Sequence, residues 1–343
     1  MINRAKAKVR RELNAWGLRG GPVRQDLYYR FLSEAFHREE KAVGRGISAY
    51  NRAIGSGEEL FLLRRNVHMI EKGLTMKPRR DEFAAAYIER TVSSYRSVYE
   101  HPAEALGMDE SLWMRAVLDE YFDATATARD TRIATARAAW AELTGSDTQD
   151  AGPYGPHEHV IGDPVPIDAL TALARGRRSV RWFRQEPIPR ELVDKAVAVA
   201  AEAPTACNRQ PYRFEIFDDP ASIQRVAGIP MGTRGYAEQL PGIIVIVGDL
   251  SAFFDERDRH LIYVDSCLAA MGLVLGLESQ GVGSCCINWP DMPDREQAMG
   301  ALLGLQPYER VVMLVAYGYP DEKGLVPFSA KRQLDAVRKF RTL

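Results

Sequence analysis

Arg177-Arg178-Ser179-Val180-Arg181-Trp182-Phe183 and Ala203-Pro204-Thr205-Ala206-Cys207-Asn208-Arg209-Gln210-Pro211-Tyr212-Arg213-Phe214 are the two segments on which the reading of this chain turns. The first packs three guanidiniums and a hydroxyl into five residues. That donor set suits a phosphate or another anion able to accept paired hydrogen bonds. Between the segments, Pro187 and Pro189 precede Leu192, Val193, Ala196, Val197 and Ala200, an apolar stripe at helical spacing with proline near its start. The second segment places Pro, Thr, Asn and Gln at the helix exit, and Phe214-Glu215-Ile216-Phe217 then reads as a strand. A loop of that composition offers amide, hydroxyl and backbone hydrogen bonds to a flat polar ligand.

Two motifs in this order and at this interval resemble the FMN-dependent nitroreductase superfamily, whose catalytic domain opens with Arg-x-Ser-x-Arg/Lys and continues to Ala-Pro-Ser-x-x-Asn-x-Gln-Pro-Trp-x-Phe. Thr205 stands where the family usually has Ser, and Tyr212 where it usually has Trp. Both replacements keep a hydroxyl or an aromatic face. The resemblance covers roughly the second half of the chain.

Composition bounds the remainder. The 343 residues allow two domains, and 46% hydrophobic with 27% charged residues is the balance of a soluble globular protein. A formal net charge of -1 argues against a general nucleic-acid binder. Cys207, Cys267, Cys285 and Cys286 show no zinc-finger spacing, and a reducing cytosol fits them best. The adjacent Cys285 and Cys286 read as small core residues, with a redox role as the rival. The basic N-terminus lacks an apolar run of the signal-peptide kind. Leu261 to Leu277 is interrupted by Asp265 and is better read as a buried helix than as a membrane span.

From Met1 to about Thr144 the patterns are helical, with helices expected at Leu27 to Ala53, Glu59 to Lys72, Asp81 to Tyr99, Glu110 to Thr127 and Thr131 to Leu143. Gly and Pro crowd residues 145–168, which mark a linker. His157-Glu158-His159 lies inside it without a recognisable third ligand, so no metal site is assigned. The expected organisation is a helical region over 1–144, a linker over 145–168 and a flavin-binding domain over 169–343. In that domain Gly242-Ile243-Ile244-Val245-Ile246-Val247 reads as a strand buried on both faces. Arg259 to Gln280 reads as a long core helix whose small residues, including Ala269, Ala270, Gly272 and Gly276, let another helix approach, and the resemblance implies that it also forms the homodimer seam. Val282 to Ile287 and Val311 to Tyr317 complete the strands. The fold class is α+β: a nitroreductase-like sandwich with helices on both faces of a mixed sheet, plus an all-helical N-terminal region.

Hydride transfer is beyond ordinary side chains, so a bound cofactor must carry any redox chemistry. With no Rossmann glycine fingerprint, P-loop, Ser-His-Asp order or H-E-x-x-H, the anion-and-flat-ring segments are the best candidate site. The resemblance implies FMN, with Arg177 and Ser179 on the phosphate and ribityl end and Arg181 at the pyrimidine edge of the ring. Arg178 occupies a variable position and is a secondary candidate. The resemblance places Pro204, Thr205 and Asn208 across a homodimer seam, in the partner's site. It places Gly283, Ser284 and Cys285 near flavin N5 and O4, and Lys331 and Arg332 over the phosphate. It supplies no equivalent contact in Gly228 to Gly235. The implied activity is a cytoplasmic FMN oxidoreductase that takes hydride from NAD(P)H and reduces a small organic acceptor by ping-pong kinetics. A dehydrogenase or oxidase acting on a biosynthetic intermediate, some relatives being tied to polysaccharide synthesis, is the enzymatic rival, and a non-catalytic flavin-binding scaffold is the other. Catalytic side chains are not assigned; neither nucleic acid nor membrane is expected as a partner. In the helical half, His68, Glu71 and Lys72 share neighbouring faces, read either as a local ion pair with Gly73 as a C-cap or as a helix end closing over the flavin.

Overall fold

The computed structural model describes residues 12, 15–17, 19, 21–33, 36–100, 107–144, 154–158 and 162–342. In the C-terminal half four strands, β1 (Tyr212–Phe217), β2 (Gly242–Asp249), β3 (Gly283–Asn288) and β4 (Glu309–Gly318), pair antiparallel in the order β1-β2-β4-β3. The sheet's parallel pairing is a bridge between Ser179 and Ser284, outside the named strands. The mixed character expected from sequence is confined to that bridge.

Strand β2 explains the layering. Its residues alternate between faces, as side chains on a strand must. Ile243, Val245 and Val247 join one core, with Ile223, Val226 and Met299. Ile244 and Ile246 join another, with Ala196, Ala200, Ala269 and Leu273. The first core is roofed by α9 (Pro220–Ala227) and α11 (Pro293–Leu303), the second by α8 (Arg190–Ala201) and α10 (Leu261–Glu278). Apolar on both sides, β2 reads as an unbroken β-branched run because each face has its own roof.

Helix α10 is long and apolar enough to cross a bilayer by composition, but Ile262, Ala269, Ala270, Leu273, Val274 and Leu277 are buried in the protein core. Its glycines serve α8. A Cβ on Gly276 would sit 2.9 Å from Ala196 Cα, and one on Gly272 would sit 3.1 Å from Ala200 Cα. The small residues expected at a subunit seam are therefore consumed within the chain, at least at these two positions.

The helical half contains α1 (Pro22–Phe31), α2 (His37–Ala53), α3 (Leu60–Leu74), α4 (Ile88–Glu100), α5 (Met108–Ala124) and α6 (Thr131–Thr144). The single helix expected over Leu27 to Ala53 is thus two. The helix expected from Asp81 begins at Ile88, after Ala84 takes a left-handed φ of 58°. Leu63, Val67, Ile70 and Leu74 form the i, i+4, i+7 stripe of α3 and pack on Val92, Tyr95, Met114, Leu118, Tyr121 and Trp140. Gly73 lies inside α3 rather than capping it, and a side chain is excluded there because a Cβ would meet the Phe83 ring at 2.4 Å.

The two halves share a core. Ala42 and Val43 of α2 pack with Leu250, Phe253 and Ile262, and a Cβ on Gly46 would meet the Leu250 carbonyl oxygen at 2.7 Å. Helix α3 lies against the 3-10 turn Ala206–Asn208. Arg177 closes α7 (Ile167–Gly176), its backbone N–H donating to the Leu173 carbonyl at 3.0 Å. The chain ends in α12 (Leu334–Val337), with Leu325, Phe328, Leu334 and Phe340 exposed along the C-terminal arm.

Candidate functional site

The Arg177 segment runs along the β3 edge. Ser179 bridges Ser284, and the Val180 N–H donates to the Ser284 carbonyl at 3.0 Å. Gly283 allows this approach: a Cβ there would fall 2.8 Å from Pro320 Cγ and 3.0 Å from Val180 Cγ2. The space left by its missing side chain is taken by protein. Phe183 bridges Pro320, which ties the same segment to the exit of β4. Thus Arg177, Arg178, Ser179, Arg181, Gly283, Ser284 and Cys285 are brought into one neighbourhood.

Its electrostatics favour an anion. Arg177, Arg178 and Arg181 are half-buried, and among the described residues no ion pair falls on them. Glu278 lies near enough to Arg177 and Arg178 to feel their charge, but burial dominates and raises its pKa. Ser284 is buried, and its hydroxyl has no partner among the described residues. A buried hydroxyl without a partner, beside arginines lacking ion pairs, leaves hydrogen-bonding capacity here that a polar guest could use.

Sequence reasoning missed two residues here. Gln239 accepts from the Phe183 N–H at 3.1 Å and donates through Nε2 to the Arg181 carbonyl, fixing the backbone on both sides of Trp182. Tyr236 is buried, and its hydroxyl interacts with both Cys285 and Arg181. Burial, then Cys285, pushes its pKa up to about 12, with Arg181 opposing. Gly235, at φ 91°, was the local turn signal beside it.

Cys285 packs in the sheet core, whereas Cys286 points to the other face and is exposed. The pair is therefore not a pair of core residues: strand alternation sends one inward and one outward.

The Asn208 loop is built separately. The Thr205 hydroxyl accepts from the Gln210 N–H at 3.1 Å, Gln210 Nε2 donates to Asn208 Oδ1 at 3.2 Å, and Asp265 accepts the Ala206 N–H at 3.0 Å. Cys207, Asn208 and Gln210 all have φ of 52–53°, in the left-handed region that costs non-glycine residues energy. Strain held in place by surrounding bonds is characteristic of functional loops. Pro204 is exposed beside it.

The loop is anchored at Asp265, near the start of α10, while Arg177 neighbours Glu278 at its end. At 1.5 Å per residue those points are roughly 20 Å apart along the helix. Within one chain the two motifs therefore do not meet. Lys331 and Arg332 are exposed on the C-terminal arm, where Arg332 donates to the Ala336 carbonyl at 2.7 Å.

In the helical half, His68 pairs with Glu71 at 3.4 Å, and Glu71 accepts from Trp113 Nε1 at 3.0 Å. Lys72 faces a cavity of about 480 Å³, lined also by Met69, Met76, Phe83 and Tyr87. In the linker, His157 Nδ1 lies 2.9 Å from the Gly155 carbonyl, and His159 is outside the described residues. No metal-ligand cluster is present among the described residues.

Residues 174–233 and 230–319 match the model of the nitroreductase family. The chain is 31% identical to an NADH dehydrogenase of Thermus thermophilus over 189 residues, which is 46% of this chain and 89% of that protein. It is 28% identical to an iodotyrosine deiodinase of Thermotoga neapolitana over 177 residues, 45% of this chain and 89% of that protein. Among solved structures, an FMN-dependent nitroreductase of Clostridium difficile aligns with a TM-score of 0.41 at 20% identity, covering 50% of this chain and 99% of the other.

Proposed function

This chain belongs to the nitroreductase family, and from that premise we propose that it is an FMN-dependent oxidoreductase that passes electrons from NAD(P)H to a small organic acceptor. The observation that carries this reading is the bridge setting Ser179 against Ser284, with its buried hydroxyl and neighbouring arginines. These residues fit a phosphorylated ring cofactor. Arg177 and Ser179 would hold its phosphate and ribityl end, with Arg178 adjacent and Lys331 and Arg332 supplied by the C-terminal arm. Gly283, Ser284 and Cys285 would border the ring. When bound, FMN supplies two-electron chemistry that these side chains lack. Arg181, with its carbonyl bonded by Gln239 and its side chain beside Tyr236, would supply a cation at the pyrimidine edge of the ring. Donor and acceptor would use one cleft in turn, giving ping-pong kinetics.

We infer a homodimer that completes each site with Pro204, Thr205 and Asn208 of the second copy. The roughly 20 Å separation along α10 supports this. So does the exposed apolar row Val264, Leu268 and Met271 on α10. The division into residues 1–144, 145–168 and 169–343 remains part of this proposal, as does a cytosolic setting, which unpaired cysteines support.

The test is anaerobic. Purified protein titrated with FMN should turn yellow, bleach with NADH or NADPH, and recover its colour with a quinone, a nitroaromatic or a halotyrosine. Holoprotein that neither nicotinamide bleaches would eliminate the proposal.

A further inference from the structure

Where the helical half meets the Asn208 loop, we propose an oxyanion site, formed by Arg65, Arg209 and the Tyr50 hydroxyl, that receives a carboxylate or phosphate group of the acceptor substrate. This rests on the oxidoreductase reading for the guest's identity as a substrate. The site's existence follows from its own geometry.

Arg209 directly follows Asn208 and is only 3% exposed. One guanidinium nitrogen donates to the Ala206 carbonyl at 3.0 Å, and Nε–H has no partner among the described residues. A buried charged donor without an acceptor is costly, so such a group calls for a bound partner. The Arg209 guanidinium lies over the Phe253 ring at 5.1 Å, and that of Arg65, from α3, lies over neighbouring Phe254 at 5.5 Å. The Tyr50 ring, from α2, is 6.0 Å from Phe254 between centroids. Donors from α2, α3 and the loop thus gather around two consecutive aromatic rings.

The two carboxylates whose charge reaches Arg209 are already engaged. Asp265 accepts the Ala206 N–H at 3.0 Å, and Asp258 lies 3.7 Å from Arg257. Among the described residues no ion pair falls on Arg65 or Arg209. Arg65 keeps donors free beyond its 2.8 Å bond to Asn66 Oδ1, and exposed Arg90 adds to the positive field at Tyr50. Burial, with Arg65 adding repulsion, draws the Arg209 pKa below its ordinary value. An incoming anion would relieve that repulsion and give the spare donors an acceptor. A planar carboxylate or a phosphate suits guanidinium forks.

The experiment uses the full chain, with and without FMN, and calorimetric titration with 4-nitrobenzoate, its neutral isostere 4-nitrobenzamide, and inorganic phosphate. Wild type should bind nitrobenzoate about tenfold or more tightly than nitrobenzamide, the worth of one charge-assisted contact. Arg65→Met, which keeps an apolar stem over Phe254, should abolish that preference. Arg65→Lys should retain part of it, and serves instead if the methionine variant does not fold. Phosphate binding that Arg65→Met removes supports the site and names a phosphorylated substrate; nitrobenzoate preference without it names a carboxylate. Equal binding of acid and amide with no phosphate binding, or a preference undiminished in the Arg65 variants that fold, overturns the site. Protein that keeps the preference yet never binds FMN sinks the oxidoreductase reading while leaving the oxyanion site standing.

Discussion

Arg177 carries its charge with no ion pair among the described residues and is half-buried at the end of α7. Its removal therefore strands no buried carboxylate in a pair. Arg177→Ala should weaken FMN binding about 10- to 100-fold, the range for a hydrogen bond to a charged group. The thermal midpoint of the FMN-free protein should hardly move. Flavin-fluorescence quenching and a parallel melt check both halves of this. Tyr236 makes a different prediction. An unfolded phenol ionises near pH 10, while burial, then Cys285, holds this one protonated to about 12. Its contribution to stability is complete below pH about 10 and is lost as pH climbs toward about 12. Urea midpoints should fall across that window. Tyr236→Phe should reduce the fall without removing it, because burial also raises Tyr317 to about 12. Neither Tyr236 nor Gln239 was legible as a site residue. Their partners, Arg181, Phe183 and Cys285, are distant in sequence and meet them only once the β3 edge has formed.

At the scale of elements, the contact between α10 and α8 is set by glycines. Gly276→Ala gains up to about 1 kcal/mol of helix propensity, but its Cβ would press on the Ala196 backbone at 2.9 Å. Overpacking costs roughly 1–3 kcal/mol. The clash should win, lowering the thermal midpoint of the variant by several degrees. Asp265→Ala should instead act on the loop: without its acceptor for the Ala206 N–H, the left-handed turn at Cys207 and Asn208 loosens. FMN affinity should then fall more than global stability, as comparison of flavin titrations with melts would show. What the sequence made legible follows the same physics. Strand β2 was readable because residues buried on both faces leave an unbroken β-branched run. The start of α4 was not readable, since Ala84 adopts a left-handed φ with no glycine to signal it. The break between α1 and α2 was likewise hidden, because Phe31-Leu32-Ser33 contains neither proline nor glycine. The motif pair marked the candidate flavin site, yet the packing of α3 on the Asn208 turn is a tertiary fact with no local signal.

For the whole molecule, the apolar row Val264, Leu268 and Met271 on α10 is about half exposed at each position. An apolar row of that kind, on the helix that links both motifs, is the surface the proposed dimer would cover. Leu268→Lys should convert the proposed dimer to monomer in light-scattering chromatography and weaken FMN binding with it, while circular dichroism stays unchanged. In the proposed homodimer the separation of the motifs along α10 would also govern inheritance of damage. A chain spoiled at Arg177 and one spoiled at Asn208 should each give inactive pairs, yet a hybrid of the two would concentrate both lesions in one cleft and leave the other whole. Random reassortment of equal amounts should restore about a quarter of the original turnover, the fraction of intact clefts expected when each draws on both copies.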